Sequence, residues 1–511
     1  MDLSMFKAYD IRTRHEALDD TKIEALSKAI AIYYRDDVEV ESVVLGRDAR
    51  LHCPELMEAI MKALRDIGID VYINPLQIST CHFYYMCMQR PESGGIMITA
   101  SHNPGEYVGC KFVGKGATAI ASSCGPNGGI NRIRQYYSEG RSFTKCKSPG
   151  KIHIFQKEEA FIDYSMKLAG VKEGDLKGMK IFAEFFSGSA GMDFAMAFEK
   201  AGADIEINHL IPDGYFPAGE PNPVKSASMA SAREKMKNGN YDLGFAFDGD
   251  GDRMDLMFPD GEQIIPGLNM SILIPYILDI FKPFYGDDYP FKFFSDIKAT
   301  PIVVSRIAKA GTEPHIIRNG HSFIKGKLHE YEKDGFIASE EESSHYYMNF
   351  PYDPDDFSKG FTAIENTIFF ALLTAKAYKE NQEKYQEIKE IQKNINRYRE
   401  WTLNFDEPDK IPELMEKIEK AMIYRGATVI RTMDDGTDLD ATLFRFNLPV
   451  HFTKDTEFPS VWCQVSQRIS RSEDAKTRWE VVASDRDLCE ETNNVIRKLT
   501  DEFAANGWAH Y

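Results

Sequence analysis

Short apolar runs that stop abruptly at polar, glycine- or aspartate-rich loops recur along this chain. They alternate with segments of helical period, and that alternation restricts it to α/β architectures. Ile23, Leu26, Ile30 and Tyr33 follow a helical spacing, and Val43, Val44 and Leu45 form an apolar run ahead of Gly46-Arg47-Asp48. Pro54 opens a second helix, where a missing N–H is harmless; Leu56, Ile60, Leu64 and Ile67 make its stripe and Gly68 takes the place just past its end. Strands are expected at 71–73 and 96–98. After a break at 170–175 the pattern predicts a strand over 180–186, a small-residue turn, a helix over 192–200 and a strand over 243–247 directly ahead of three aspartates. Further on it predicts strands at 291–295 and 336–338 and a helix over 360–378. The Lys- and Glu-rich stretch 379–400 reads as a solvated helical connector to a last unit.

The 511 residues suggest several domains rather than one core. With 43% apolar and 27% charged residues the chain can bury ample core and lacks the signature of disorder. Its 61 Lys and Arg against 79 Asp and Glu give a net charge of -18, which opposes delocalised attraction to nucleic acid or anionic lipid, so a phosphorylated ligand must meet clustered cations. No apolar run reaches the roughly 18 residues of a membrane span, and the N-terminus lacks a secretory pattern. Eight cysteines without a CxxC pair suit free thiols in a reducing cytoplasm.

The strongest local signal is Asp248-Gly249-Asp250-Gly251-Asp252-Arg253. Three carboxylates so close repel one another unless a hard divalent cation neutralises them, and the glycines permit a loop tight enough to turn all three inward. An EF-hand is not matched, because Arg253 stands where it requires Gly and Pro259 where it requires Glu. Thr99-Ala100-Ser101-His102-Asn103-Pro104 follows an apolar run and is either an ordinary chain reversal or a nucleophile loop. Lys111 lies in GCKFVGKG, which misses a P-loop because Gly116 occupies the required Ser or Thr position. Cations able to hold phosphate form separate groups: Lys7 and Arg12, Arg47, then Lys298, Arg318, His321 and Lys325, and finally Arg468 and Arg471 beside Ser470 and Ser472. In that last group hydroxyls alternate with guanidinium groups, which suits either multidentate phosphate binding or an exposed strand of mixed charge. Glu341 to His345 is either a solvated acidic face or a set of acceptors for sugar hydroxyls.

In this order the segments resemble the α-D-phosphohexomutase family, specifically its phosphomannomutase/phosphoglucomutase branch. The carrying motifs are FKAYDIR at 6–12, GRDARL at 46–51, TASHNPGEY at 99–107, PDGYFP at 212–217, FDGDGDR at 247–253, GHSFIKGKL at 320–328 and EESSH at 341–345. They span nearly the whole chain. The resemblance implies that Ser101 carries a phosphoryl group, that Asp248, Asp250 and Asp252 with an oxygen on phospho-Ser101 hold one Mg2+, and that Lys111 is the general acid/base. It implies that Arg12, His102 and Arg253 assist at the reacting phosphate, with His345 a further proton-transfer partner. Glu341 and Ser343 match readers of sugar hydroxyls, Lys298 and His321 flanking substrate contacts, and Arg468, Ser470, Arg471 and Ser472 a phosphate-binding loop. A lysine beside a cation is expected to have its charged form disfavoured.

The implied reaction moves phosphate between O1 and O6 of a mannose or glucose phosphate, with hexose 1,6-bisphosphate as intermediate and activator. The implied fold has four domains, at 1–150, 151–258, 259–378 and 379–511: three α/β units, each with a mixed sheet between helix layers, and a smaller α+β unit. The implied partner is a small-molecule phosphosugar, with no nucleic acid and no membrane, for a cytoplasmic monomer or homodimer. Phosphoglucosamine or phosphopentose mutases and hexose-bisphosphate synthases are the close alternatives. A non-catalytic phosphosugar-binding paralogue is the alternative from another class, and retention of Ser101, Lys111 and the three aspartates argues against it. Three departures from the family pattern alter loop freedom and charge: Thr13, Ser344 and Arg471 stand where Gly, Gly, and Gly or Asn are usual. Arg471 is expected to add a phosphate contact.

Overall fold

Runs that are apolar on both faces pair into sheets covered by helices, and turn chemistry decides where the loops between them open. The computed structural model describes residues 3–469 and 475–511. The chain divides into two compact bodies, one of Met1–Pro266, Gly320–Ala338 and Ser343–Asn381, the other of Gly267–Asn319, Ser339–Glu342 and Gln382–Tyr511.

The first body begins with a seven-stranded mixed sheet of β1 (Ile11–Arg14), β2 (Ser42–Arg47), β3 (Asp70–Ile73), β4 (Gly94–Ile98), β5 (Tyr107–Val113), β6 (Ala119–Ile120) and β7 (Ile152–Ile154). The order is β1-β5-β4-β2-β3-β7, with β6 on β5. β2 runs parallel to β3 and β4, whereas β5 is antiparallel to β4 and β1. The helices Asp20–Asp36 and Cys53–Asp66 contribute Leu26, Ile30, Leu56, Ile60 and Leu64 to the core that includes Val43, Leu45, Ile96 and Ile98. Gly68 ends the second helix at φ +90°, as its sequence position predicts.

The reversal into β5 places Lys111 opposite Met97 and Gly109 opposite Arg12, so strand register delivers both cations beside the loop that follows β4.

The second sheet, β8 (Lys180–Glu184), β9 (Asp204–Asn208), β10 (Leu243–Phe247) and β11 (Met254–Met257), has the order β11-β10-β8-β9. β10 and β11 form an antiparallel hairpin closed at Phe247 and Met254, and the aspartate segment 248–253 is its loop. The expected strand 180–186 stops at Glu184, because Phe186 and Ser187 turn into positive φ.

Two sequence expectations are corrected. The helix expected over 360–378 is a buried strand, Phe361–Glu365, followed by a helix, Thr367–Glu380, capped by the Asn366 side chain on the Phe369 N–H at 3.0 Å. Every residue of that strand is buried, so its apolar content carries no period to separate strand from helix. Of the connector expected over 379–400, the first two residues end the helix Thr367–Glu380 and Gln382–Lys393 is a separate helix. Asn396–Phe405 is a strand in which Trp401, Leu403 and Phe405 alternate toward the core, so Glu400 belongs to a sheet.

In the second body six strands pair antiparallel in the order Thr428–Thr432, Asp438–Phe446, Cys463–Ile469, Lys476–Ala483, Asn396–Phe405, Ala509–His510. Helices Ile411–Tyr424 and Arg486–Ala505 share a core with them around Leu414, Ile418, Trp479, Val481 and Ile496. A parallel pair, Lys292–Asp296 with Glu313–Ile317, belongs to the same body. All eight cysteines are free, and among the described residues no helix is long and apolar enough to cross a membrane.

Candidate active site

Ser101 lies on the loop after β4, 2% exposed, with φ +53°. A non-glycine residue in that region costs on the order of 1 kcal/mol, so the surroundings must hold it. Its N–H donates to Thr99 Oγ1 at 2.8 Å, and Thr99 in turn donates to Asp48 at 2.7 Å. Arg50, fully buried, pairs with Asp48 at 3.0 Å and donates to the carbonyls of Ser101, Asn103 and Pro104, each at 2.6 Å. One guanidinium thus fixes the backbone of the serine loop.

The Ser101 hydroxyl donates to Asp248 Oδ2 at 3.3 Å and lies 3.2 Å from His102 Nδ1. Burial first, then the positive charges of Arg253 and Arg12, pushes the His102 pKa well down, so the ring is neutral. Arg12 on β1 donates to Asn103 Oδ1 at 2.9 Å and to Asp10 at 2.6 Å. Burial alone would lower its pKa, but Asp10, Asp250 and Asp252 outweigh that and raise it.

The hairpin loop brings Asp248, Asp250 and Asp252 together, all fully buried, with one oxygen of each within 4.8 Å of the others. Both glycines are required. Gly251 has φ +72° and a Cβ there would meet Ala190 Cβ at 2.5 Å, while one at Gly249 would meet the Ser101 carbonyl at 2.7 Å. Lys111 Nζ donates to Asp250 at 2.6 Å and to Asp252, and Thr80 donates to Asp250 at 2.6 Å. Burial, then the neighbouring carboxylates, raises the Asp248 pKa well above the usual range. Asp252 is held low, because Lys111 outweighs the cost of burial. Burial by itself disfavours the Lys111 ammonium, but Asp250 and Asp252 outweigh that and raise its pKa.

These residues fit a hard divalent cation. Asp250 Oδ1 and Asp252 Oδ1 are buried without a hydrogen-bond partner, the donors are all oxygens, and the Ser101 hydroxyl borders the group.

Arg253 Nε donates to His345 Nε2 at 3.1 Å. His345 therefore accepts at Nε2, which assigns its proton to Nδ1, 3.6 Å from Glu365 and 3.9 Å from Asp252. Glu365 also accepts from Lys325 at 2.7 Å, and Lys325 donates to the Tyr84 hydroxyl at 2.8 Å. Burial raises Glu365 to about 7 against the opposing pull of Lys325. His321 stacks on His345 at 6.0 Å and is kept neutral, first by burial and then by the charge of Lys325. Lys325, named above as a phosphate-binding cation, is thus committed to Glu365. Lys7 is exposed, and Arg47 turns to the carbonyls of Asp48 and Pro75.

Ser343 is partly exposed in the turn before His345. Ser344, where the family has Gly, takes φ +69°, and its carbonyl accepts from Met254 N–H at 2.9 Å while its hydroxyl contacts Asp255 at 3.4 Å. Thr13 sits in β1, where extended backbone removes any need for Gly.

In the second body Glu341 is buried and accepts from Asn319 at 3.3 Å, and Asn319 also binds Asp296. Burial and then the Glu341 charge raise Asp296 to about 7. Lys298, Arg468 and Arg478 surround Glu400, and Arg318 pairs with Asp440 at 3.1 Å. Ser470, Arg471 and Ser472 lie outside the described residues.

Sequence reasoning missed Arg50, Asp48, Thr80 and Glu365 as site residues. GRDAR contains the first two, and the signal was an arginine and an aspartate two residues apart beside a strand end. Nothing local marks Glu365, whose role depends on strand pairing.

Two profiles described as "Phosphoglucomutase/phosphomannomutase, alpha/beta/alpha domain I" and "domain II" match residues 3–125 and 159–261. The phosphomannomutase of Salmonella montevideo is 31% identical over 358 residues, 68% of this chain and 74% of that one. The phosphoglucomutase of Neisseria gonorrhoeae is 28% identical over 345 residues, 67% of this chain and 70% of that one. The crystal structure of a phosphoglucomutase/phosphomannomutase family protein from Burkholderia thailandensis superposes with a TM-score of 0.77 at 21% identity, covering 99% of this chain and 98% of that one. Mixed sheets in several α/β units, with a strained serine facing three carboxylates and a lysine, define an enzyme of the phosphosugar mutase class, an isomerase. The chain belongs to the phosphoglucomutase/phosphomannomutase family.

Proposed function

We propose that this chain interconverts hexose 1-phosphate and hexose 6-phosphate, with mannose, glucose or both as the sugar, by way of phospho-Ser101 and a hexose 1,6-bisphosphate. The single observation that carries the reading is Ser101 Oγ, 3.3 Å from Asp248, beside buried carboxylate oxygens that have no other partner. In the first half-reaction the bond from phosphorus to Ser101 Oγ breaks and a bond to the substrate's free hydroxyl oxygen forms. That hydroxyl's proton goes to Lys111 in its free-base form, and the departing Ser101 oxygen takes up one proton by way of His102, 3.2 Å away, so that one proton passes from substrate to serine overall and Ser101 is left as the alcohol. After the bisphosphate turns over, its other phosphoryl group returns to Ser101, and the proton path runs in reverse. The same bisphosphate, bound from solution, activates a chain whose serine is bare.

Asp248, Asp250, Asp252 and an oxygen on phospho-Ser101 would hold one Mg2+, which when bound neutralises charge on the transferring group and lowers the Lys111 pKa. Arg12 and Arg253 contribute fixed positive charge, the main protein contribution to phosphoryl transfer. His345, hydrogen-bonded to Arg253, would move a second proton. Glu341 and Ser343 would read sugar hydroxyls. Lys298 and His321 would make flanking substrate contacts, and Arg468 with the segment Ser470-Arg471-Ser472 would hold the phosphate that does not react.

The reading assigns the serine loop to 1–150, the metal loop to 151–258, sugar recognition to 259–378 and the second phosphate site to 379–511. Eight free cysteines support a reducing, cytoplasmic setting, and a monomer or homodimer suffices for this chemistry. The test is a coupled assay with Mg2+ and trace hexose 1,6-bisphosphate on mannose 1-phosphate and glucose 1-phosphate, with Ser101→Ala alongside. Turnover that vanishes in the variant is expected. No turnover of either sugar, in protein shown by mass to carry phosphoserine, sinks the proposal.

A further inference from the structure

On the first body His15, His52 and Glu55 gather a second set of metal-ligating side chains, none of which belongs to the site described above. One nitrogen of each ring and one carboxylate oxygen lie within 4.8 Å of one another. The imidazoles stack with centroids 3.4 Å apart and planes at 12°, and His15 Nε2 is 3.1 Å from Glu55 Oε2. The tertiary fold fixes this spacing. His15 opens a short turn straight after β1 and is held there by its N–H on the Glu106 carbonyl at 2.8 Å. His52 and Glu55 stand at the start of helix Cys53–Asp66, whose core face is buried. His52 occupies the N-cap position of that helix, yet its side chain makes no capping hydrogen bond, so capping does not account for the ring.

The donor set selects the ion. Two imidazole nitrogens and a carboxylate oxygen suit Zn2+ and its neighbours in the transition series, whereas Mg2+ and Ca2+ favour oxygen alone. With bonds of roughly 2.0–2.1 Å, two ligands of a tetrahedral ion stand about 3.3 Å apart, and the His15–Glu55 pair already has a separation of that size. Stacked rings hold their lone pairs in parallel planes, so closing on one ion requires one ring to tilt. The side chains of His15 and Glu55 are 28% and 51% exposed and His52 is only partly buried, which leaves room for the tilt and for entry of an ion from solution. Burial, then the positive charge of His15, lowers the His52 pKa and favours the neutral ring that a metal requires.

We propose that His15, His52 and Glu55 bind a divalent cation of the Zn2+ class, with water in the remaining position, at a site that shares no residue with the aspartate loop. The ion ties together segments 40 residues apart in sequence. One of them continues from Arg12 on β1, and the other begins two residues after Arg50, so the ion braces both supports of the serine loop.

The test titrates Co2+, a spectroscopic stand-in for Zn2+, into the full chain with Mg2+ in excess to occupy the aspartate loop. Four-coordinate Co2+ absorbs visible light far more strongly than the hydrated ion. The unaltered protein is expected to develop that absorption and to lose it when Zn2+ displaces Co2+. Asp252, His345 and Glu365 form another group able to hold an ion, so the comparison between variants carries the decision. His15→Ala, His52→Ala and Glu55→Ala should each weaken Co2+ binding by at least about tenfold, the least that loss of even a supporting group costs, and should reduce the rise in thermal midpoint that Zn2+ produces. Absorption and affinity that are the same in His15→Ala and His52→Ala as in the unaltered protein overturn the proposal, and so does the absence of the absorption in the unaltered protein. Should either histidine variant fold poorly by circular dichroism, Glu55→Ala, a change on an exposed side chain, decides: an unchanged affinity overturns the site.

Discussion

Arg50 illustrates how much one buried side chain can decide. Its guanidinium is fully buried, pairs with Asp48 and satisfies three carbonyls of the serine loop. Arg50→Leu leaves Asp48 unpaired in the interior and releases Ser101 from its left-handed conformation. We expect about 3–5 kcal/mol of lost stability together with a kcat reduced well beyond the stability effect, read by denaturant midpoint and by turnover of the folded fraction. Glu365 lies 3.6 Å from His345 Nδ1, and in the proposed mechanism it acts through that ring. Glu365→Gln is expected to lower kcat by about tenfold to a hundredfold and to change the pH profile, while a merely structural role would leave that profile in place. Asp255 makes a pH prediction. Burial raises its pKa to about 7, so the folded chain holds a proton that the unfolded chain has lost above its ordinary range. The stability this contributes is complete below about pH 4 and is lost as pH rises through about 7. Asp255→Asn, neutral throughout, should therefore gain relative to the unaltered protein between pH 5 and pH 8, by urea midpoint. An unchanged difference between the two would show that Asp255 does not titrate in this window.

At the scale of elements, the hairpin β10–β11 converts strand pairing into a tight loop that carries three carboxylates. The antiparallel closure at Phe247 and Met254 fixes both ends of the loop 248–253, and the positive φ of Gly251 lets the three carboxylates face one point. Gly251→Ala combines a left-handed backbone, about 1 kcal/mol for a Cβ, with a 2.5 Å approach to Ala190. The expected result is a markedly weaker Mg2+ affinity by calorimetry with the global fold retained by circular dichroism. Helix Thr367–Glu380 depends on its cap in the same local way. Asn366 accepts from Phe369 N–H and donates to Ser165 at 2.9 Å, buried throughout. Asn366→Ala should cost about 1–2 kcal/mol, at the upper end because the bond donated to Ser165 is lost as well.

For the whole molecule, the site concentrates carboxylates inside a chain of net charge -18. A cation that binds the folded chain and not the unfolded one must stabilise it by mass action. At a hundred times its Kd, Mg2+ is expected to add roughly 2.7 kcal/mol. The thermal midpoint should rise with Mg2+, and Asp250→Asn should abolish the rise. An equal rise in that variant would place the ion elsewhere.

Alternation of apolar runs with helical stripes determined the α/β class, and the order of TASHNP, DGDGDR and EESSH pointed to the phosphosugar mutase class through its resemblance to the family. Charge repulsion over a few neighbours marked the three aspartates, whereas Ser101 and Lys111 were singled out by that resemblance. Where burial is complete on every face the period disappears, so 361–365 could pass for helix, and a charged strand such as 396–405 could pass for a solvated connector. Only the tertiary structure decided that Arg50 clamps the serine loop, that Glu365 faces His345 and that Glu400 lies between two arginines. Each of these depends on strand register and long-range pairing, which bring together groups that share no local signal.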